Sequence, residues 1–350
     1  MTRTVAPLVL FSLLAPNLAF ASPWTLPADR IAVIGGFDYG FANQEWLDEG
    51  AVRGFPLRGN FTSSTFSIGT RFGFTDRLEF SAQLPITLVS YDADAVILLP
   101  APGADPGADF DYYQQNIIEL TQTARGVGDL RVAGRYRWFL QPFALATEVE
   151  VKAPTGYRGP SGTFGDNPQT AEEFLADPGR FVRPENIQDD VTLGDGQLDV
   201  AVSMLFGYVF PTNTFVRLDA GYNLRLSGAA DQVIGSVRLG QVIAPGLLAF
   251  VGARGAYSIE DGRVIGVSVT AEDPELPAAE YAGLNNLGLR EVRLYRDRLA
   301  VDGGVIIRLA PGVELNLGYG QTVWGRNTAL VRRFSASIAM STSLAEEDDE

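Results

Sequence analysis

The 350-residue chain contains no cysteine and no histidine, and among its 27 basic residues only Lys152 is a lysine. Without cysteine there are no disulfides, so backbone hydrogen bonding and packing must hold the fold. Without histidine, Ser-His and Cys-His nucleophilic catalysis, imidazole metal sites and histidine proton relays are excluded. Positive charge is also in deficit: a net charge of -15 argues against nucleic acid as a partner. Beyond the N-terminus no run of about 18 apolar residues occurs, which rules out helical membrane spans.

The N-terminus reads as an export signal. Arg3 supplies a positive n-region, Ala6 to Leu14 an apolar h-region, and Ala19-Phe20-Ala21 a small-residue cleavage site. The expected division is therefore a signal peptide over 1–21, a body over 22–345, and an acidic tail over 346–350 (Glu-Glu-Asp-Asp-Glu).

What the chain does have is alternation. Leu78, Phe80, Ala82, Leu84, Ile86 and Leu88 alternate with Glu79, Ser81, Gln83, Pro85 and Thr87, and Phe66 to Phe74 repeat the pattern before the Thr75-Asp76-Arg77 turn. Successive side chains of a strand point to opposite faces, so this is a hairpin with one apolar and one polar face. The same period predicts strands over 31–41, 130–138, 143–153, 198–210, 216–226, 233–243, 247–257, 299–309, 313–323 and 330–344. With the hairpin this makes twelve.

The connections say which solvent meets the apolar face. Tight turns at 75–77, 140–142, 211–213, 244–246 and 310–312 alternate with mostly long connections near 42–60, 92–125, 157–195 and 258–296. A sandwich has no reason to do this, whereas an outer-membrane barrel has short periplasmic turns and longer extracellular loops. Charges keep to one face of each strand, and aromatics gather beside the tight turns: Phe72, Phe74, Tyr136, Trp138, Phe206, Tyr208, Phe210 and Phe215. The fold expected is an all-β transmembrane antiparallel β-barrel of about 12 strands, closed because an open edge in hydrocarbon would strand backbone hydrogen bonds. An even strand count places both chain ends in the periplasm. Pro85 and Pro154 each cost a ladder bond and are expected near the outer rim, where bulges are tolerated.

The polar face would line the lumen with Arg131, Arg135, Arg137, Glu148, Glu150, Lys152, Arg217, Asp219 and Arg225. Two readings stand. These charges set the preference of a water-filled pore, in which case Arg135, Arg217, Arg225 and Glu150 matter first, or they fill a narrow barrel with bidentate Arg-carboxylate bridges. Acidic residues crowd the outer loops at Asp105, Asp109, Asp111, Glu172, Glu173, Asp189, Asp190, Glu272, Asp273 and Glu275. Only a hard cation could use them, and no calcium-loop spacing is present, so they read as solvated charge. Gly126-Val127-Gly128 opens a strand rather than a helix and is no phosphate loop. No catalytic residue, metal or cofactor is expected.

GVGDLRVAGRYRW (126–138), VKAPTG (151–156) and DGQLDVAVSMLFGY (195–208) resemble the outer-membrane family labelled "MetA-pathway of phenol degradation". Gly126, Gly128, Asp129, Leu130, Arg135, Tyr136, Lys152, Pro154, Thr155, Gly156 and Asp199 carry the likeness, over about residues 60–225. The resemblance implies an outer-membrane channel-like protein for hydrophobic or aromatic compounds. The expected function is passive uptake of small molecules. The alternative is a sealed structural or surface-interaction barrel; an embedded enzyme is disfavoured by the missing histidine. Expected partners are outer-membrane lipid, envelope polysaccharide and a small-molecule solute, with the oligomeric state open.

Overall fold

The structure, a computed structural model, describes residues 22–55, 58–94, 96–97, 117–118, 121–160, 173, 176–177, 191–271 and 287–344. Twelve long strands form one closed antiparallel barrel. In chain order they are β1 (Arg30–Ala42), β2 (Asn60–Gly73), β3 (Leu78–Asp92), β4 (Leu130–Phe139), β5 (Ala144–Ala153) and β6 (Asp199–Val209), then β7 (Thr214–Arg225), β8 (Gln232–Ala244), β9 (Leu247–Ser258), β10 (Asp297–Ala310), β11 (Val313–Arg326) and β12 (Arg332–Ser343). Each pairs with the next, and β12 closes on β1 from Arg30↔Ser343 to Phe41↔Arg332. Closure satisfies every edge, as a chain in hydrocarbon requires.

The alternation read from the sequence is the alternation seen. Outward residues such as Phe66 (59% exposed) and Ile68 (60%) have no protein partner to cover them, and the belt continues through Phe80, Val132, Val202, Leu239, Val251 and Phe334. Their β3 neighbours Glu79, Ser81 and Gln83 point inward and are buried. Gly246 (φ 77°) and Gly312 (φ 74°) occupy the left-handed position that a type II Pro-Gly turn requires. The first and last strands enter and leave at the tight-turn end, where the Leu344 amide donates to the Asp29 carbonyl at 2.7 Å.

Three details differ from the sequence reading. Phe215 is not in the outer aromatic girdle: it shares the inward phase of Arg217 and is buried in the lumen. Pro85 lies in the body of β3 rather than at its outer rim. It is tolerated because its partner strand breaks there: Gln122–Val127 continues β4 above an interruption at Gly128-Asp129, and the Gly128 amide donates to the Pro85 carbonyl at 2.9 Å. A residue's N–H and C=O leave a strand on the same side, so the missing Pro85 donor faces that interruption. Three connections expected as plain loops carry strand pairs of their own, Gln44–Trp46 with Val52–Gly54, Val96–Ile97 with Ile117–Ile118, and Val264–Ala271 with Leu287–Arg293. Residues 1–21, the tail and most of the acidic loop residues, from Asp105 to Glu275 but excepting Glu173, lie outside the described residues.

Candidate functional site in the barrel lumen

In the half of the lumen nearest the tight turns, register brings opposite charges face to face. Arg135 lies between Glu79 of β3 and Glu148 of β5. Its Nη1 donates to Glu79 at 2.9 Å and its Nε to Glu148 at 3.0 Å, while Nη2 also bonds Glu148. Glu79 in turn receives Arg71 in a two-pronged contact, Nε and Nη2 both at 2.8 Å. Farther round the wall Arg217 of β7 is the cross-strand neighbour of Arg238 of β8, which pairs with Asp302 at 2.9 Å and lies 4.3 Å from the Phe250 ring centre. Arg71, Arg135, Arg217 and Arg238 are the largest side chains with less than 2% exposure. Guanidinium forks match carboxylates geometrically, so this ladder packs the barrel as a core rather than lining an open pore.

A second element seals the same half. Residues 22–29, ahead of β1, turn back into the barrel mouth as a strap. The Leu26 amide donates to Glu79 at 2.7 Å, Arg71 Nη2 donates to the Trp24 carbonyl at 3.3 Å, and the Thr25 hydroxyl donates to the Asp76 carbonyl at 3.0 Å. Leu26 packs with Ala32, Ile34 and Ala339, and Trp24 meets Phe215 edge-on at 6.3 Å. The walls are cut back to admit it. A Cβ on Gly73 would lie 2.0 Å from the Pro27 carbonyl oxygen, and one on Gly207 would lie 2.6 Å from Pro23 and 2.7 Å from Trp24. Against the strap, a cavity of about 1690 Å³ opens at the tight-turn end, with Arg30, Arg137 and Arg308 among its lining.

The loop end is built differently. Lys152 bonds Asp195 and Asp199, both at 2.6 Å, and Arg225 reaches Asp195 at 2.5 Å. Tyr157 donates to Asp129 and accepts from the Gly196 amide at 3.0 Å. These contacts pin the two ends of the 154–198 connection to the rim. Burial alone would raise the Asp195 carboxyl, but Lys152 and then Arg225 hold it below the ordinary range. Arg131 pairs with Glu150 at 2.7 Å yet keeps 47% of its side chain exposed. A small cavity of about 170 Å³ lies among Arg131, Glu150, Lys152, Arg296 and Arg298.

Of the nine candidates, all face the lumen, but they separate into groups. Arg135 and Glu148 belong to the buried ladder, and Arg217 is buried beside it. Asp219 accepts from the Ser236 hydroxyl on the same wall. Glu150, Lys152, Arg131 and Arg225 form the loop-end cluster, and Arg137 faces the tight-turn cavity. The strap, Arg71, Glu79, Asp302 and the arginines of β9, β10 and β12 were not singled out by sequence reasoning. Arg298 was excluded by starting that strand two residues late, while the strap has no period to read.

A closed barrel with an apolar outer belt and a charged, self-paired interior is an outer-membrane β-barrel protein. No protein-family model matches the chain, and no curated protein matches it. Among solved structures, the COG4313 outer membrane channel from Pseudomonas putida F1 overlays 91% of this chain and 97% of its own, at 13% identity and a TM-score of 0.56. That likeness shows the fold. The TodX monoaromatic hydrocarbon channel mutant (TM-score 0.43, 11% identity, 92% and 93% covered) and the KdgM porin (0.40, 6%, 88% and 99%) overlap only as general barrels.

Proposed function

We propose that the protein is an outer-membrane conduit for small molecules that rests closed, with its tight turns in the periplasm. The observation that carries this reading is the construction of the closure. The strap is held in the lumen by a few polar contacts and by the packing of Leu26 and Trp24 between glycine-cleared walls, outside the barrel's sheet, so it can leave without breaking a strand pairing. A seal meant to be permanent needs no separable piece. The overlay on a named outer-membrane channel and the sequence resemblance to the phenol-degradation family support the same reading, including membership of that family. Cleavage after Ala21 would make Ser22 the mature N-terminus and free the strap from a leader.

The solute favoured is small and weakly polar, since a lumen this charged and this filled offers no room for a hydrated sugar chain. No catalytic role is proposed; lipid is the partner of the belt, and envelope polysaccharide of the loops. The test is solute uptake by liposomes carrying the refolded mature chain, with benzyl alcohol entering faster than glucose. A specific observation favours a second reading: four fully buried arginines in the tight-turn half of the lumen suit a sealed structural barrel. Uptake of neither solute would establish it in place of the conduit.

A further inference from the structure

The loop half of the lumen contains cations that the barrel does not neutralise. Arg298 on β10 has Ala256 and Gly325 as its cross-strand neighbours, and Arg333 on β12 has Gly40 and Gly320. Arg254 on β9 lies between Ser236 and Ala300. None of these neighbours can supply a carboxylate, and among the described residues none of the three arginines makes an ion pair. The positive charges of Arg296, Arg254, Arg333 and Arg131 all bear on Arg298. Asp302 and Asp38 are the carboxylates that act on Arg254, and Asp302 is already bonded to Arg238. The Arg254 Nε is shut off from solvent with no hydrogen-bond acceptor.

Like charges gathered in a low-dielectric lumen repel, and a folded chain keeps them together at a cost unless something answers the charge. The carboxylates near by answer it only in part. Asp195 bears on Arg296 while bonded to Lys152 and Arg225, Asp199 serves those same two, and Glu150 serves Arg131. The cavity reaching Arg298 has room for about five or six waters, or for one small molecule in their place. Its wall carries four cations, Arg131, Lys152, Arg296 and Arg298, against three carboxylates, Glu150, Asp195 and Asp199, with Ala201, Ile234 and Ala256 as its apolar part.

From this juxtaposition we infer that the loop half of the lumen is a binding site for a small organic carboxylate, its anion held by Arg298 and Arg296 with Arg254 and Arg333 behind, and its apolar body against Ile234 and the alanines. Planar guanidinium groups favour a planar, two-oxygen anion over a point charge. The site deepens the conduit reading by naming the solute class it would concentrate, but binding itself does not require the barrel to open.

Calorimetric titration of the refolded, detergent-solubilised mature chain with sodium benzoate, and with benzyl alcohol as the uncharged analogue, tests it. Benzoate should bind in a salt-sensitive manner and benzyl alcohol at least about tenfold more weakly, the loss expected for forfeiting a charge-assisted pair. Arg298→Ala with Arg333→Ala should abolish that difference, and Arg298→Lys should restore part of it. Heat-modifiable gel migration of each variant reports that the barrel is folded. Equal binding of the two compounds, or undiminished benzoate binding by the folded double variant, would overturn the site. Liposome uptake on the same preparations separates the two ideas: binding without uptake leaves the site and removes the conduit, whereas uptake without preferential binding does the reverse.

Discussion

Arg135 and Arg298 are the same residue type on inward positions of strands in one barrel, and their surroundings are opposite. Arg135 has a glutamate on each neighbouring strand and is 1% exposed; Arg298 has an alanine and a glycine and opens on a cavity. The first arginine is structural material, neutralised by its neighbours and tied through Glu79 to the strap. The second is surplus charge with no ion-pair partner among the described residues. The register of the sheet, rather than the presence of arginine, decides which half of the lumen is packed and which is available to a solute.

The sharpest way to break this comparison is to remove each arginine in turn. Arg135→Ala leaves Glu148 buried without its cation and Glu79 with Arg71 alone, and should cost about 3–5 kcal/mol of stability, read from urea unfolding in lipid or detergent. Arg298→Ala should cost little or raise stability slightly, because it relieves repulsion. Similar losses at both positions would erase the distinction. A smaller effect is expected from crowding the strap. Gly207→Leu would drive a side chain into Pro23 and Trp24, so benzyl alcohol uptake should rise several-fold while β-sheet content stays unchanged. Uptake unchanged by a folded Gly207→Leu barrel would count against the strap as the closure.

Ion preference should change more modestly. In a salt gradient, Arg298→Ala with Arg333→Ala should move the reversal potential toward cation preference, because those charges face the open half. Arg137→Gln, in the wide cavity at the tight turns, should move it less. A larger shift from Arg137 than from the pair would place the filter at the wrong end. The smallest effect concerns the rim. The Asp195 carboxyl is held below its ordinary 3.8, so its contribution is complete above that pH and is lost as pH falls through the depressed value. Amide exchange at Gln197, whose N–H donates to Asp195 Oδ1 at 3.3 Å, should therefore, once corrected for intrinsic rate, stay slow from pH 8 to 5 and accelerate only below about 3.8. Acceleration near pH 6 would contradict the assignment.

Most of the barrel was legible because period-2 alternation is written residue by residue: Leu78 to Leu88 declare both faces without any tertiary information. The ladder was half legible. That Arg135 and Glu148 face inward follows from alternation, and bidentate filling was one of the two readings offered, but their meeting depends on register between strands, which hairpin length fixes and sequence does not state. The strap was illegible for the opposite reason. Ser22 to Pro27 has no period and is placed by clearances at Gly73 and Gly207 far along the chain. The unpaired arginines were missed because their significance lies in what stands opposite them, a glycine or an alanine, and the small residues of β1, β9 and β11 carry no signal by themselves.

The division of the lumen into a closed and an available half is tested most directly by single-channel conductance of the refolded mature barrel, measured with residues 22–27 present and with them removed. The intact chain should give rare, low-conductance openings, and the chain without its strap larger and longer ones, both in barrels that show heat-modifiable migration. Identical currents from the two would mean that the strap closes nothing, and no current from either that the ladder alone seals the barrel.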